Sequence, residues 1–586
     1  MRVLENMILT EKYIKAGLLL VIAAAVLLAF QTIRAPFFLD DIPEMEHVES
    51  FSSPVQIFAA DAFGFKRPVK NLIFMIVSQA GESSAVVGHA VSMFLYVAAI
   101  FAVFFWLRLW LGKSVWSVVG TAIWALSPTL VSSIVWLSCA NIMVSLIFIL
   151  SALICWEYAR RKQECGENRQ SYMFLLLSMI SYVFAFGAYE SAIVFPVMAV
   201  LQDVVLKRRR IFSKASVCYA GVAAVSLLLL VMRGRPATPS NFNIMGVTAG
   251  WQLSCSSAYF LLSHIWQWFW PFGNQEILGT FVWGRSVPLW MLGAAWAVLL
   301  FLAVACIALF RRLPEIAAGM LLAVAALLPM CNVLPLYSGP FADYYLTLSA
   351  VGLSLALVSI IKNLAELFRM DSVSSRKRVL IFVIFTMISL RFVCAGASFN
   401  WSRAWKDPAV LLTRSIGVRP YAYPAQASLA HIMLMRNQLD RAEKLAMRSI
   451  SETDGFVLPM NVMGSVTAKK GRYEESVMWY EKTLAIEPDN MYARLSLAVL
   501  FDDNLNDKEQ AERCYRIVID RSKNNEYRKT AYTNLSIIMG MAGRYEEAVD
   551  LLEKALHNFP DSKNLKHNLQ ITKHNMHKTA ESPAQK

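Results

Sequence analysis

The chain has 586 residues and a formal net charge of +14, and 56% of its residues are hydrophobic whereas 17% are charged. Apolar runs close to the ~20 residues of a membrane-spanning helix dominate residues 1–400, which excludes a wholly soluble protein. Much of the Lys and Arg lies in short loops between these runs, where basic residues set membrane orientation, so the net charge does not indicate a nucleic-acid partner. The nine cysteines show no CxxC or Cys/His spacing, which argues against a zinc site or a disulfide framework.

Eleven apolar segments are predicted to cross the membrane. They cover residues 14–32, 86–107, 115–133, 137–156, 172–188, 191–206, 215–232, 287–310, 315–335, 344–361 and 379–398. A further apolar stretch, 251–273, is predicted to be re-entrant or interfacial, because eleven crossings place most loop Lys and Arg on the inner side and a twelfth removes that bias. The N-terminus is then cytosolic, and the loop 33–85 and the C-terminal domain share the non-cytosolic side. The first segment lacks a cleavage pattern and is expected to stay uncleaved.

The first outer loop is acidic at its beginning and basic further on. Its sequence "FFLDDIPEMEH" (37–47) places Asp40 and Asp41 just after the first span. Acids at a bilayer surface are costly and usually mark a site or a pairing need. The plainer alternative is that both are solvated loop acids or caps for a short helix that begins at Ile42. The basic stretch "FKRPVKNL" (65–72) follows on the same side and contains Lys66 and Arg67.

The C-terminal part repeats itself. The segments "GRYEESVMWYEKTLAIEPDN" (471–490) and "GRYEEAVDLLEKALHNFPDS" (543–562) share a Gly-Arg-Tyr-Glu-Glu start, a small residue, a Glu-Lys pair and a Pro-Asp end. They resemble the tetratricopeptide repeat, in which two antiparallel helices occupy ~34 residues. About four repeats and a capping helix are predicted over 423–575, after a connector at 401–422, and 576–586 is expected to be a disordered tail. Such a solenoid usually offers a concave surface to a protein partner.

Further motifs in the membrane half occur in a familiar order. They are "GHAVSMFLY" (88–96), "ALSPTLVSSIVWLSCAN" (125–141), "YESAIVFPVMAVLQDVVLKRRR" (189–210), "FADYYLTLSAVGLSL" (341–355) and "RAWKD" (403–407). Together with the acidic loop and the repeats, they resemble the GT-C glycosyltransferase superfamily, in particular the TMTC-type protein O-mannosyltransferases and their bacterial relatives. The resemblance implies an all-α protein, with a polytopic membrane helix bundle of about 11 spans over 1–400 followed by a tetratricopeptide α-solenoid.

The resemblance also implies a sugar donor carried on a polyprenyl phosphate and assigns site residues. The expected catalytic residues are Asp40, Asp41 and Glu190, and His89 occupies the position of a further site histidine. A charged leaving group needs cations near it, and the expected phosphate-binding residues are Arg67, Lys66, Arg233 and Arg235. If the reaction uses a divalent cation, Asp40 and Asp41 would hold it. A direct displacement would invert the anomeric configuration.

Tyr189, Tyr344 and Ala140 depart from the family pattern, since they stand where the family has Lys or Arg, and Ser127 stands where the family has His. Two functions therefore stay open. The first is a membrane glycosyltransferase that moves the sugar to a protein Ser/Thr hydroxyl or a glycan on the non-cytosolic side, while the repeats present the acceptor. The alternative is an inactive homologue that acts as a membrane-anchored repeat scaffold for assembly of an envelope complex.

A bacterial inner membrane is favoured over the endoplasmic reticulum as the location of the protein. Arg391, inside the last span, is expected to pair or to snorkel.

Overall fold

A computed structural model describes residues 2–62, 64–206, 221, 250–270, 287–331, 342–370, 374–418, 422–452, 455–522 and 524–581. These residues form α-helices and short 3₁₀ helices and no strand, as the all-α prediction requires. The chain divides into two compact units, Met1–Ala422 and Tyr423–Lys586. The first unit is a membrane helix bundle, and the second is a tetratricopeptide solenoid.

The membrane unit contains fifteen α-helices in the described ranges. They are α1 (Arg2–Phe30), α2 (Asp41–Glu49), α3 (Pro68–Ser78), α4 (Ser84–Leu111), α5 (Val115–Ala125), α6 (Val131–Val135), α7 (Ala140–Glu164), α8 (Asn168–Ala188), α9 (Phe195–Val205), α10 (Gly250–Phe269), α11 (Leu289–Phe310), α12 (Pro314–Leu327), α13 (Leu346–Met370), α14 (Ser374–Ala404) and α15 (Pro408–Val418).

Six helical segments of the described chain are long and apolar enough to cross a membrane, and one bent pair of helices also qualifies. The bent pair is the predicted span 115–133, which breaks by 57° between Val115–Ala125 and Pro128–Val135. Pro128 explains the break, because proline cannot continue the hydrogen-bond ladder of the preceding helix. Helix α10 covers most of the stretch 251–273 and is not among the six candidates. Except for residue 221, the predicted span 215–232 lies outside the described residues, so the total of eleven spans stays a prediction.

Helices α12 and α13 approach each other through two glycines. A Cβ atom on Gly352 would lie 2.5 Å from the Gly319 carbonyl oxygen, and one on Gly319 would lie 2.6 Å from the Ala356 backbone nitrogen. Membrane helices rely on such small residues for close backbone packing, because lipid supplies no hydrophobic force between helices. The contact holds α13, which begins next to the candidate site described below.

In its described residues, the solenoid has four helical pairs and a last helix. They are α16 (Tyr423–Met435) with α17 (Leu439–Glu452), α18 (Val457–Lys469) with α19 (Tyr473–Ile486), α20 (Met491–Asp503) with α21 (Lys508–Arg521), α22 (Asn525–Met541) with α23 (Tyr545–Asn558), and α24 (Lys563–Glu581). The recurring glycines Gly471 and Gly543 have φ angles of 76° and 75° at the turn inside each pair, a conformation that favours glycine. Tyr480, Leu497 and Tyr515 belong to one continuous core, as expected for aromatic residues at helical spacing.

The end of the chain differs from the prediction. Helix α24 continues to Glu581, so residues 576–581, which we expected to be disordered, are helical. Its first half is anchored by the fully buried Leu565, and a salt bridge of 2.7 Å joins Lys573 to Glu553. Once a helix is nucleated, each further residue adds a hydrogen bond at small cost, which explains the extension.

The glycine contact can be tested by Gly352→Val. The new side chain meets rigid backbone atoms of α12, and such overpacking typically costs ~1–3 kcal/mol. The matched control is Gly293→Val on α11, where a Cβ would meet no atom within 4 Å. The melting temperature of the purified protein in detergent should fall clearly for Gly352→Val and much less for Gly293→Val. Equal losses would show that the close approach of α12 and α13 does not stabilise the unit.

Candidate active site

The chain between α1 and α2 is held in place by side chains from helices far along the sequence. His89 Nε2 donates to the Ala35 carbonyl oxygen at 2.9 Å, and Trp136 Nε1 donates to the Phe38 carbonyl oxygen at 3.2 Å. Leu39 has a φ angle of 49°, an uncommon value for a residue with a Cβ. These contacts fix the backbone directly before Asp40.

Asp41 is buried, and its carboxylate is saturated with donors. Its Oδ1 accepts hydrogen bonds from the Ser138 N–H at 2.8 Å and from the Ser138 hydroxyl at 2.7 Å. Its Oδ2 accepts a longer bond of 3.4 Å from the Phe38 N–H. Burial raises the pKa of Asp41 to about 7, and the bonds from Ser138 limit the rise. The alternative of a solvated loop acid is therefore wrong for Asp41, which fastens α2 to the turn before α7.

Asp40 is different, although it is the adjacent residue. It occupies the N-cap position of α2, but its side chain makes no capping hydrogen bond, and its carboxylate has no hydrogen-bonding or ion-pair partner in the described part of the chain. The residue is half-buried. Burial raises the pKa of Asp40 above its ordinary value, while the nearby charges of Lys70 and Arg67 oppose the rise. An unbonded carboxylate with a raised pKa, close to two cations, can accept a proton from a bound molecule.

A chain of five charged residues lies beside Asp40. Lys70 Nζ is 2.6 Å from Glu44 Oε1 and 3.7 Å from Asp61 Oδ2. Arg67 Nη1 is 3.8 Å from the same Asp61 oxygen, and Arg67 Nη2 is 2.7 Å from Glu190 Oε1. Burial raises the pKa of Glu44, which the charge of Lys70 opposes. The chain connects α2, the loop before α3, the start of α3 and the turn after α8.

Arg67 and Glu190 form a two-bond ion pair. Arg67 Nε donates to Glu190 Oε2 at 3.1 Å, in addition to the bond from Nη2. The guanidinium also lies 4.3 Å from the ring centroid of Phe65 and 5.1 Å from that of Tyr189. Burial opposes the charge of Arg67, but the carboxylate of Glu190 outweighs this effect and raises the pKa of the guanidinium. Arg67 Nη1 makes no hydrogen bond to a described residue, and its contact with Asp61 is long, at 3.8 Å.

The other predicted site residues lie at different places. His89 is buried and bonded to the Ala35 carbonyl, so the geometry gives it a positioning role. Lys66 is exposed on the loop before α3. Arg233 and Arg235 lie outside the described residues.

Three aromatic rings, those of Tyr344, Trp136 and Trp405, pack together near Asp40. The ring of Tyr344 packs edge-on against Trp136 with centroids 6.0 Å apart, and Trp136 is 6.0 Å from Trp405. Tyr344 is half-buried and lies close enough to Asp40 to be affected by its charge. Tyr189 and Tyr344, which replace basic residues of the family pattern, therefore lie near Arg67 and Asp40 respectively. Each places a phenol group where the family has a positive charge.

Sequence reasoning missed several members of this site. Lys70 follows Arg67 by three residues in the first turn of α3, so both lie on one helix face, and this spacing could have revealed the pairing. Glu44 belongs to the acidic stretch 37–47, but nothing in the sequence pairs it with Lys70. Nothing in the sequence singles out Asp61 or Ser138, because each acquires its role from a partner in another element.

The described acids do not form a group of three or more His, Cys, Asp or Glu residues arranged to hold a metal ion. Asp41 already accepts bonds from N–H and O–H donors, and Glu44 is paired with Lys70. The residues expected to hold a divalent cation therefore do not fit that role together, and no step below uses a metal.

Comparisons with known proteins agree with this organisation. A family model described as a tetratricopeptide repeat matches residues 530–557. The human protein described as "Protein O-mannosyl-transferase TMTC1" is 24% identical over 179 residues, which cover 30% of this chain and 20% of the human protein. This chain thus matches about a fifth of that relative's length. The predicted resemblance to the TMTC-type proteins is confirmed as a distant relationship, and the tetratricopeptide assignment is confirmed.

Two solved structures are also similar in part. Yeast Tom70 is 11% identical with a TM-score of 0.26, over 83% of this chain and 97% of that protein. A thermophilic tetratricopeptide protein of Thermus thermophilus is 15% identical with a TM-score of 0.24, over 36% of this chain and 98% of that protein.

The Arg67–Glu190 pair predicts a stability effect. Glu190→Gln leaves a largely buried guanidinium without its counter-charge, and breaking such a pair typically costs ~3–5 kcal/mol. The double variant Arg67→Met, Glu190→Met should recover much of that loss. The control Glu167→Gln breaks a more exposed pair with Lys162 and should cost at most ~1 kcal/mol. Thermal unfolding in detergent measures all three variants, and an equal effect of Glu190→Gln and Glu167→Gln would contradict the structural role.

Proposed function

We propose that this chain is a membrane glycosyltransferase that moves a sugar from a polyprenyl-phosphate donor to a hydroxyl of a protein or glycan acceptor. The observation that carries the proposal is Asp40, a half-buried carboxylate with a raised pKa and no described hydrogen-bond partner, set beside Arg67. The distant relationship to a protein O-mannosyl-transferase supports the same reaction class. The proposal extends to the sugar-transfer step alone and leaves the identity of the sugar open.

In the proposed reaction, Asp40 acts as the general base. It accepts the proton of the acceptor hydroxyl while the acceptor oxygen attacks the anomeric carbon of the sugar. The bond between that carbon and the phosphate oxygen breaks, and the lipid phosphate leaves with the electron pair. Arg67 Nη1 is the donor that faces the developing negative charge. A single displacement of this kind inverts the anomeric configuration.

The two other expected catalytic acids take positioning roles in this proposal. Asp41 uses its oxygens to hold Ser138 and so fixes the orientation of Asp40. Glu190 occupies two donors of Arg67 and so directs the third toward the site. This division answers why two adjacent aspartates follow the first span, since one holds the loop and its neighbour performs the chemistry.

The tetratricopeptide unit is proposed to present the acceptor. Such repeats bind protein partners, and the loop-charge bias places this unit on the same non-cytosolic side as Asp40. The competing proposal is a non-catalytic scaffold for an envelope complex. It is favoured by the absence of two possible phosphate-binding arginines, because Ala140 and Tyr344 stand at the positions where the resembled family has them.

The catalytic proposal predicts the effect of Asp40→Asn. Asparagine is nearly isosteric but accepts no proton at neutral pH, and losing a general base typically slows a reaction ~10²–10⁴-fold. Transfer should be measured from a radiolabelled polyprenyl-phosphate sugar to Ser/Thr peptides and to membrane glycans, with protein in liposomes. Because the base must be ionised, wild-type transfer should fall as the pH drops through the raised pKa of Asp40.

The matched control is Glu46→Gln, which changes an exposed acid in the same helix and should leave transfer unchanged. Asp41→Asn keeps an acceptor for Ser138 and should lose less activity than Asp40→Asn. Near-wild-type transfer by the Asp40→Asn, Asp41→Asn double variant would remove the catalytic role of the pair. If the wild-type protein transfers no sugar from any donor, the transferase proposal is contradicted and the scaffold proposal is favoured.

The proposed sidedness predicts a labelling pattern. In a background without native cysteines, Ser374→Cys should be protected from an impermeant maleimide in intact cells, and Glu509→Cys should react. Glu509 has a side chain that is 81% exposed, so burial does not limit its labelling. Permeabilised cells, in which both sites should react, provide the control. The reverse pattern would place the repeats in the cytosol and overturn acceptor presentation.

A further inference from the structure

An apolar groove runs between α5, α13 and α14. Its volume is about 290 Å³, which is at the lower end of the range for small-molecule pockets, ~300–1,000 Å³. Its walls include Val119, Leu126, Ile361, Ile388, Phe392 and Ala395. One charged side chain, that of Arg391, also lines the groove. The groove therefore combines a long apolar surface with a single cation.

Arg391 lies within the predicted span 379–398, and its side chain is held against Trp268 of α10. Its guanidinium lies 4.0 Å from the ring centroid of Trp268, and Nη1 donates to the Trp268 carbonyl oxygen at 3.3 Å. Both contacts direct the side chain toward α10, so it does not simply extend along α14 to the membrane surface. Throughout the described part of the chain, no carboxylate pairs with Arg391.

A cation inside a predicted membrane span, with no carboxylate partner in the described part of the chain, calls for a counter-charge. Ionisable residues in such segments are rare and usually pair with an opposite charge or mark a ligand site. A carbonyl and an aromatic face satisfy one edge of the guanidinium, but they do not neutralise its charge. Arginine presents several N–H donors that match a phosphate group. The groove supplies an apolar surface next to this cation. A phospholipid matches both features, because its phosphate can pair with the cation and its acyl chain can lie on the apolar surface.

We propose that the groove binds an anionic phospholipid of the bilayer, with its phosphate on Arg391 and an acyl chain along α5, α13 and α14. The occupant is a bilayer lipid and not the sugar donor. The groove is lined by none of the charged residues around Asp40, and the proposed reaction places the donor phosphate at Arg67. This inference does not depend on the proposed transferase activity.

The test uses the full chain, stripped of lipid in detergent and examined by native mass spectrometry. Phosphatidylglycerol and phosphatidylcholine of the same acyl chains are titrated separately. The wild-type protein should bind phosphatidylglycerol at least tenfold more tightly than phosphatidylcholine. Arg391→Met should abolish that preference, and Arg391→Lys should retain part of it. Ala395→Phe, which fills the groove without removing the cation, should weaken binding of phosphatidylglycerol.

The control is Arg108→Met. Arg108 also lies in a membrane helix near an aromatic ring, at 5.7 Å from Phe104, but it has a carboxylate partner in Glu11 at 3.8 Å. It should leave the preference for phosphatidylglycerol intact. Equal binding of the two lipids, or an equal loss in Arg108→Met, would overturn the proposal. Displacement of phosphatidylglycerol by a polyprenyl phosphate at equal concentration would also overturn it, because the groove would then belong to the donor.

Discussion

The two-bond ion pair between Arg67 and Glu190 is the constraint on which the candidate site depends. Its members are 123 residues apart, and the pair joins the start of α3 to the turn after α8. A planar guanidinium that shares two hydrogen bonds with a carboxylate has little freedom to rotate. Its third nitrogen group is therefore fixed in direction, and the charged chain through Asp61 and Lys70 takes its geometry from that anchor. Without Glu190, the largely buried guanidinium would keep, among the described residues, only its longer contact of 3.8 Å with Asp61 as an ion pair.

Asp40 and Asp41 show how the surroundings divide one motif into two roles. The same residue type occurs twice in succession, yet helix geometry turns neighbouring side chains in different directions. One carboxylate enters a pocket formed by Ser138 and gains three hydrogen bonds. The other remains at the edge of the helix, where two cations influence it without contacting it. Burial disfavours the charge of both, but one carboxylate is occupied by the protein and the other can exchange its proton.

The sequence alone predicted the helical class and the repeats, because these depend on local patterns. Apolar runs of membrane length and the two Gly-Arg-Tyr-Glu-Glu segments are contained within short windows. The burial of Asp41 could not be predicted, since Ser138 lies 97 residues away. The break at Pro128 was open to prediction, because proline interrupts a helix, yet the apolar run hid it. Asp61 carries no signal, since its role arises from contacts with Arg67 and Lys70.

The tyrosines at positions 189 and 344 bear on the choice between enzyme and scaffold. Around Asp40 the described chain places four further acids, Asp41, Glu44, Asp61 and Glu190, against two cations, Arg67 and Lys70. Additional cations in place of the tyrosines would stabilise ionised Asp40 and lower its pKa. Their absence leaves the carboxylate a stronger base but gives the leaving phosphate less support. A donor phosphate that binds at Arg67 would add negative charge beside Asp40, which raises its pKa further at the moment when the acceptor proton must move. In the proposed reaction, the departures from the family pattern would therefore shift the balance between base strength and leaving-group stabilisation without removing the proposed general base.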